Sequence, residues 1–250
     1  MRKGESEKTA AFFAVAAEQF CGFPDASKVK ILDFGCGHGK LVERLLARQY
    51  DAFGCDIRTR WGDDPIVEEH RLKVIGQSPY AIPFGDGTFD AVISTSVFEH
   101  VQNKEESFRE IHRVLKSGGY SMHIFPSKWY LPREPHNLVP LVNFFWPRCP
   151  RWWLALWARL GVRSRFQQGM NWRQVVDSNA DYFVNGTSYW PNSGYRKLSL
   201  RIFGNYSTPM RFYIDHAFGG VAGLGRKFPF RRLSGWLSAQ LRMIFIVQRK

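Results

Sequence analysis

Between positions 29 and 125, short apolar runs alternate with stretches whose apolar residues recur every three to four positions. A run of about five apolar residues ending at glycine or an acidic residue reads as a buried strand, and the three-to-four spacing reads as an amphipathic helix. The pattern predicts a helix over 6–20 and strands over 30–34, 51–56, 72–76, 89–94 and 120–125. Two further helices are predicted over 40–48 and 104–115, with Gly118-Gly119 turning the chain into the last of those strands. Alternation of this kind builds a parallel sheet covered by helices on both faces. Beyond 126 the pattern loosens into Pro-, Trp- and Arg-rich sequence, and strand-like runs reappear only at 210–216 and 241–249.

Charge sharpens this division. Residues 1–125 carry 16 Lys+Arg against 18 Asp+Glu, whereas residues 126–250 carry 19 against 4. A basic half of this kind suits an anionic substrate, a nucleic acid or membrane headgroups, or simply a solubilising surface. The four cysteines (Cys21, Cys36, Cys55 and Cys149) are scattered with no C-x-x-C pair. That spacing predicts neither a metal site nor a disulfide framework and fits a reducing compartment. The apolar patch Ala10–Ala17 is bracketed by Glu5, Glu7 and Glu18, so it reads as a helix beside the first strand, not a secretory leader. No run of eighteen apolar residues occurs, and the expected location is the cytoplasm.

The densest chemistry lies in Ile31-Leu32-Asp33-Phe34-Gly35-Cys36-Gly37-His38-Gly39-Lys40. Glycines at every second position let the backbone turn sharply between strand and helix and come close to a ligand. A dinucleotide loop would place its third glycine where this chain has Lys40, so the spacing fits a smaller nucleotide-like ligand. Gly54-Cys55-Asp56-Ile57 places a carboxylate at the end of the second strand, twenty-one residues after Gly35. A carboxylate there can accept both hydroxyls of a vicinal diol. Ile82-Pro83-Phe84-Gly85-Asp86-Gly87-Thr88-Phe89-Asp90 leads into the fourth strand, and Ser94-Thr95-Ser96-Val97-Phe98-Glu99-His100-Val101 follows from it.

In this order of blocks, over roughly Val29 to Ser127, the chain resembles the class I S-adenosylmethionine (SAM) methyltransferases, whose first motif is an acidic residue followed by G-x-G-x-G. The resemblance implies SAM as cofactor. Gly35, Cys36, Gly37 and Gly39 would lie against its methionine part, with Asp33 steering the amino group. Asp56 would hold the ribose and Ile57 would lie on the adenine. Ser78 stands where the family often has an Asp for the adenine amino group, and Ser96 falls in the segment beside the sulfonium. Phe98 would shield the ligand from water. His100, with Glu99, is either a general base or a structural histidine. His136, in Arg133-Glu134-Pro135-His136-Asn137, is either an acid–base residue or part of an ordinary loop.

The fold so implied is α/β: a doubly wound Rossmann-like sheet of about seven strands, the last antiparallel, with a cap inserted between strands five and six. Residues 1–126 would form the SAM-binding core, 127–208 an aromatic, basic cap over the acceptor, and 209–250 the strands completing the sheet. Neither an Asn/Asp-Pro-Pro-Tyr/Phe tetrad nor a cysteine after strand four or five is present, which disfavours methylation of nucleic-acid bases. The expected reaction is methyl transfer, most simply to oxygen, on a small-molecule, lipid or glycan acceptor, anionic in keeping with the basic half. The Trp152-Trp153-Leu156-Trp157-Leu160 stripe would contact a membrane surface or pack against the body of the protein. An RNA methyltransferase and a non-catalytic SAM-fold module are the rival readings.

Overall fold

The computed structural model describes residues 3–22, 25–57, 70–77, 79–217 and 231–250. After helix α1 (Lys3–Ala16) come β1 (Lys30–Phe34), α2 (Lys40–Leu46), β2 (Asp51–Asp56) and β3 (Leu72–Val74). A short hairpin, β4 (Gly76–Gln77) and β5 (Tyr80–Ala81), leads to β6 (Phe89–Thr95), α3 (Lys104–Val114) and β7 (Leu115–Pro126). Then follow α4 (Arg151–Arg159), α5 (Trp172–Asp181), α6 (Asn192–Phe203), α7 (Met210–His216), α8 (Arg231–Leu241) and β8 (Met243–Arg249). The main sheet runs β3-β2-β1-β6-β7-β8, parallel except for β8, which pairs antiparallel with β7. This is a doubly wound Rossmann-like sheet with its last strand reversed, as the resemblance implies.

Strand residues alternate between the two faces of the sheet. Ile31, Ala91, Ile93, Met122, Phe245 and Val247 join α1 and α2 in one apolar core. Leu32, Phe34, Val92, Phe125, Ile244 and Ile246 join Phe108 and Ile111 of α3 and Tyr195 and Leu198 of α6 in the other. Each fully buried Leu, Ile or Phe contributes roughly 1.5–3 kcal/mol, so the two cores hold the sheet as one body. The Ile82–Thr88 block is architectural, and Arg113 pins it: its guanidinium donates to Ile82 O, Phe84 O, Asp86 and Glu110. Glu110 in turn accepts the Ile82 N–H at 2.8 Å.

Two expectations need correction. Met210–His216 is a helix, not a strand, so the main sheet has six strands among the described residues and not about seven. Pro209 at its N-cap and apolar contacts on Met210, Phe212 and Tyr213 seat this segment against the first core as a helix. The outer edge of β8 is covered instead by a single bridge between Ser207 and Val247. Asn205 extends that bridge by imitating a strand residue, its side-chain amide donating to Arg249 O and accepting from Arg249 N. The second correction concerns β7, which begins at Leu115: Gly118, at φ +80°, is absorbed within the strand and does not separate it from α3.

Between β7 and α6, a third apolar cluster joins Val139, Val142, Leu154, Ala158, Val175, Val176 and Phe183, centred on α4 and α5. No helix among the described residues is long and apolar enough to cross a membrane. Arg113→Ala should remove about 2 kcal/mol of stability, the scale of hydrogen bonds to charged groups, read as a lower urea midpoint at unchanged slope. An unaltered midpoint would mean that Phe53, Phe84 and Phe89 hold the block without it.

Candidate functional site

The carboxyl ends of β1, β2 and β6 converge, and in open α/β sheets ligands bind at that edge. Gly35 and Cys36 both donate their N–H groups to Cys55 O, Gly37 N donates to Asp56 Oδ2 at 2.9 Å, and Gly39 N donates to Cys36 O. The loop is therefore tied to β2 by its own amides, and those N–H groups are not held out toward an anion. What the loop offers a ligand is close approach. Gly35, Gly37 and Gly39 all have positive φ, and a Cβ on Gly37 would meet nothing within 4 Å. Gly35 is the opposite case, since a Cβ there would stand 2.4 Å from Val97 Cγ2. That contact seats the Ser96–His100 segment on the glycine loop.

Asp33 is 3% exposed, and burial, then the neighbouring Asp56, push its carboxyl up to about 8. A buried carboxyl beside a second acid is a poor structural choice and a good receptor for a cation. Ile57, just beyond Asp56, is 48% exposed, an apolar side chain set open at the strand end. Cys36 packs against Gly54, and burial raises its thiol well above the ordinary range, so it fills the turn and is no nucleophile. Ser96 is exposed and holds a left-handed backbone (φ +54°), strain that a serine bears only when its neighbours impose it. Ser78 lies outside the described residues. Phe98 is not exposed to a ligand: it is fully buried among Phe34, Phe108, His123, Phe125 and Tyr195.

Glu99, His100 and His136, thirty-seven residues apart at their extremes in the chain, come together in space. One ligand atom from each lies within 4.8 Å of the others. His100 Nδ1–H donates to Gly186 O at 2.7 Å. His136 Nδ1–H donates to Glu134 Oε1 at 2.9 Å, and the two imidazoles meet edge to face at 4.9 Å. Burial lowers the His100 pKa. Burial also works against charging His136, but its bond to Glu134 prevails and raises it. Glu99 is fully buried, and burial pushes its carboxyl up to about 7.

Of three partners of this cluster, Glu134 stands in the 133–137 block singled out in the sequence, whereas Lys104 and Tyr182 have no signature there. Glu134 opposes its own burial by accepting from His136 N, His136 Nδ1, Asn137 N and Tyr189 OH, and these bonds hold its pKa below the usual carboxylate range. Lys104, 1% exposed, donates to Val101 O and Ser188 O, and burial lowers its pKa to about 7. With Ser188 N–H on Glu99 O at 2.6 Å, it clamps the 186–189 segment over the Glu99–Lys104 turn. Tyr182 places its ring against both histidines, and its buried hydroxyl has no hydrogen-bond partner. A further histidine, His123, is fully buried and bracketed by Ser94 and Ser121, and burial lowers its pKa to about 3, as for a neutral core residue.

A parallel sheet with a glycine loop after β1, an acid after β2 and a polar cluster after β6 defines a Rossmann-like protein built for a nucleotide-type ligand. Residues 32–122, a little over a third of the chain, match the family model described as a methyltransferase domain. Over 100 residues the chain is 33% identical to a sarcosine/dimethylglycine N-methyltransferase of Halorhodospira halochloris, covering 36% of this chain and 34% of that protein. It is 36% identical over 98 residues to a probable tRNA methyltransferase 9B of Mus musculus, covering 37% and 20%. It is also 30% identical over 98 residues to a ubiquinone biosynthesis O-methyltransferase of Pseudomonas aeruginosa, covering 36% and 41%.

The chain thus spans between a fifth and two fifths of the length of these curated relatives. Among solved structures, a SAM-dependent methyltransferase from Mesorhizobium loti superposes with a TM-score of 0.54 at 13% identity, covering 96% of this chain and 98% of that one. The [4+2]-cyclase SpnF superposes at 0.50 with 17% identity, covering 96% and 80%. The frame is therefore shared by more than one chemistry.

The two glycine environments make a prediction. Gly37→Ala should cost about 1 kcal/mol for its left-handed backbone alone. Gly35→Ala should cost about 1–3 kcal/mol more through overpacking, most of it recovered by adding Val97→Ala. Denaturation of the single and double variants measures this, and equal losses at both glycines would contradict it.

Proposed function

We propose that the chain is a SAM-dependent methyltransferase that methylates an oxygen of a small-molecule, lipid or glycan acceptor. The observation that carries the reading is Asp33. It is a buried acid at the carboxyl edge of the sheet, costly alone and suited to a ligand that brings an ammonium group and a sulfonium. Gly37 leaves room for that ligand to lie on the backbone, Asp56 is at hand for the ribose, and exposed Ile57 for the adenine face. When bound, SAM would supply an activated methyl group to an acceptor lone pair, its sulfur leaving as a thioether. The protein's part is to align the acceptor and receive its proton. Glu134 holds His136 with Nδ1 protonated and Nε2 carrying the lone pair, the tautomer a general base needs. His100 is held likewise by Gly186 O.

Where the acceptor resides is suggested by α4. Trp153, Leu154, Trp157 and Ala158 turn into the third apolar cluster, leaving Trp152, Leu156 and Leu160 at 65%, 43% and 66% exposure on the opposite stripe. Arg151 and Arg159 flank them, and Arg165 lies over Phe166, itself 74% exposed. Apolar residues at this spacing with arginines beside them suit an interface with anionic lipid, which supports a lipid-linked acceptor.

Calorimetry with SAM tests the cofactor reading. The wild-type chain should bind one equivalent, Asp56→Ala should lose about 1–3 kcal/mol of binding, and Asp33→Asn more. Because the free Asp33 carboxyl titrates near pH 8 and a cation favours its ionised form, binding at pH 7 should release a proton, seen as an enthalpy that depends on the buffer. No binding by the wild type would leave the chain a SAM-fold interaction module. Sedimentation with phosphatidylglycerol-containing vesicles tests the surface. Binding should weaken in the Trp152→Ser, Leu156→Ser double variant, and salt-steep binding of tRNA without lipid binding would favour an RNA acceptor instead.

A further inference from the structure

The Glu99, His100 and His136 cluster has a property that acid–base chemistry does not require. Glu99 is fully buried, and neither of its carboxylate oxygens accepts a hydrogen bond. Its nearest side-chain partner is His100 Nε2 at 4.0 Å. Burying an unpartnered carboxylate costs several kcal/mol, and proteins accept that cost where the group pairs with a cation or binds a metal. Glu134, two residues from His136, shows the contrast, because every donor a buried acid needs is supplied to it.

Both histidines are set up in the same way. Each donates Nδ1–H to a fixed oxygen, Gly186 O for His100 and Glu134 Oε1 for His136, so each presents the Nε2 lone pair. The Glu134–His136 pair has the carboxylate–histidine form that accompanies metal-bound imidazoles, with Glu134 itself fixed by Tyr189 and two backbone amides. Each histidine side chain is 36% exposed, so an ion could enter and keep positions open to solvent or to another ligand. Ligand atoms on one ion with bonds of about 2.1 Å stand roughly 3.0–3.5 Å apart, so the present spread of up to 4.8 Å needs roughly 1.3–1.8 Å of closure. Rotation about the glutamate and imidazole torsions supplies that.

We infer that Glu99, His100 and His136 bind one divalent transition-metal ion, with Glu134 and Gly186 orienting the two imidazoles. Two imidazole nitrogens and one carboxylate favour zinc, cobalt, iron or manganese over magnesium or calcium, whose ligands are mainly oxygen. The ion would fill the charge deficit around Glu99 and leave open positions facing His100 and His136. There, if the methyl-transfer reading holds, it would replace the imidazoles as the aid to deprotonation, since their Nε2 lone pairs would be held by the ion: it would take the acceptor oxygen and let its proton pass to solvent.

The test uses the full chain without a histidine tag, titrated with Co²⁺ and followed by visible d–d absorption, and separately with Zn²⁺ by calorimetry. The wild type should take one equivalent of each and give a cobalt spectrum showing nitrogen ligation. Glu99→Gln and His136→Ala should each weaken binding at least tenfold and alter that spectrum. Glu134→Gln should weaken it 10–100-fold. His216→Ala, at an exposed position at the end of α7 that forms no part of the cluster, should change nothing. Circular dichroism checks each variant for folding, and His100→Ala replaces Glu99→Gln should the latter unfold.

Absence of saturable Co²⁺ binding by the wild type overturns the inference, as does Co²⁺ binding that Glu99→Gln and His136→Ala leave untouched. SAM calorimetry on the same samples separates the two proposals. Metal binding without SAM binding rejects the methyl-transfer reading alone, and SAM binding without metal binding rejects the metal site alone.

Discussion

The close approach of Gly35 to Val97 is the constraint on which the rest depends. β1 and β6 are parallel neighbours, so their outgoing loops must share the same edge of the sheet. Only a residue without a side chain lets the β1 loop lie beneath the β6 loop, and the gap is too small for even a methyl group. With that contact made, the Asp33–Gly39 loop and the Ser96–His100 segment are fixed against each other. The two halves of the site are thus positioned by backbone packing, which is less deformable than a hydrogen bond between flexible side chains.

The second constraint is buried charge. Asp33, Glu99, Glu134 and Lys104 all lie almost wholly out of water. Lys104 is satisfied by two carbonyls, one from its own turn and one from the 186–189 segment, and lies near the ring of Trp190. Glu134 is satisfied by four donors. These two therefore act as fasteners between the sheet and the layer over it, and their desolvation is offset within the chain. Asp33 and Glu99 are not offset in that way: one lies beside a second acid and the other accepts no hydrogen bond. The division between satisfied and unsatisfied buried charge separates residues that hold the layers together from residues suited to something the chain must bind.

Legibility from sequence follows the range of the interactions involved. β1 and β2 are predicted to the residue and β6 to within one, because a short, mostly apolar run bounded by polar residues marks each of them. Asp33, the glycines and Asp56 are legible because loop, strand end and spacing lie within about twenty-five positions. Met210–His216 misleads because a seven-residue apolar run has no period long enough to distinguish strand from helix. The aromatic stripe on α4 could be assigned to a core or to a surface but not divided between them. Its division appears only when α5 supplies a partner for one side of the helix.

The Glu99–His100–His136 cluster shows why the remainder is hidden. Each residue stands out in the sequence as a candidate, yet no spacing relates His136 to the other two. The loop that brings His136 in is fixed by Glu134, whose role depends on Tyr189, fifty-five positions further on. Metal-ligand spacing in sequence marks sites built on one hairpin or one helix, where geometry follows from local repeat. This cluster is assembled from a β6 turn, a loop after β7 and a covering segment near 186–189, so its evidence is the state of its atoms. Two imidazoles with fixed tautomers share a pocket with a carboxylate that nothing satisfies. A structural cluster would spend those lone pairs on donors within reach, as Glu134 does next door. That the chain satisfies one buried glutamate four times and its neighbour not at all is the physical argument that the second awaits a cation.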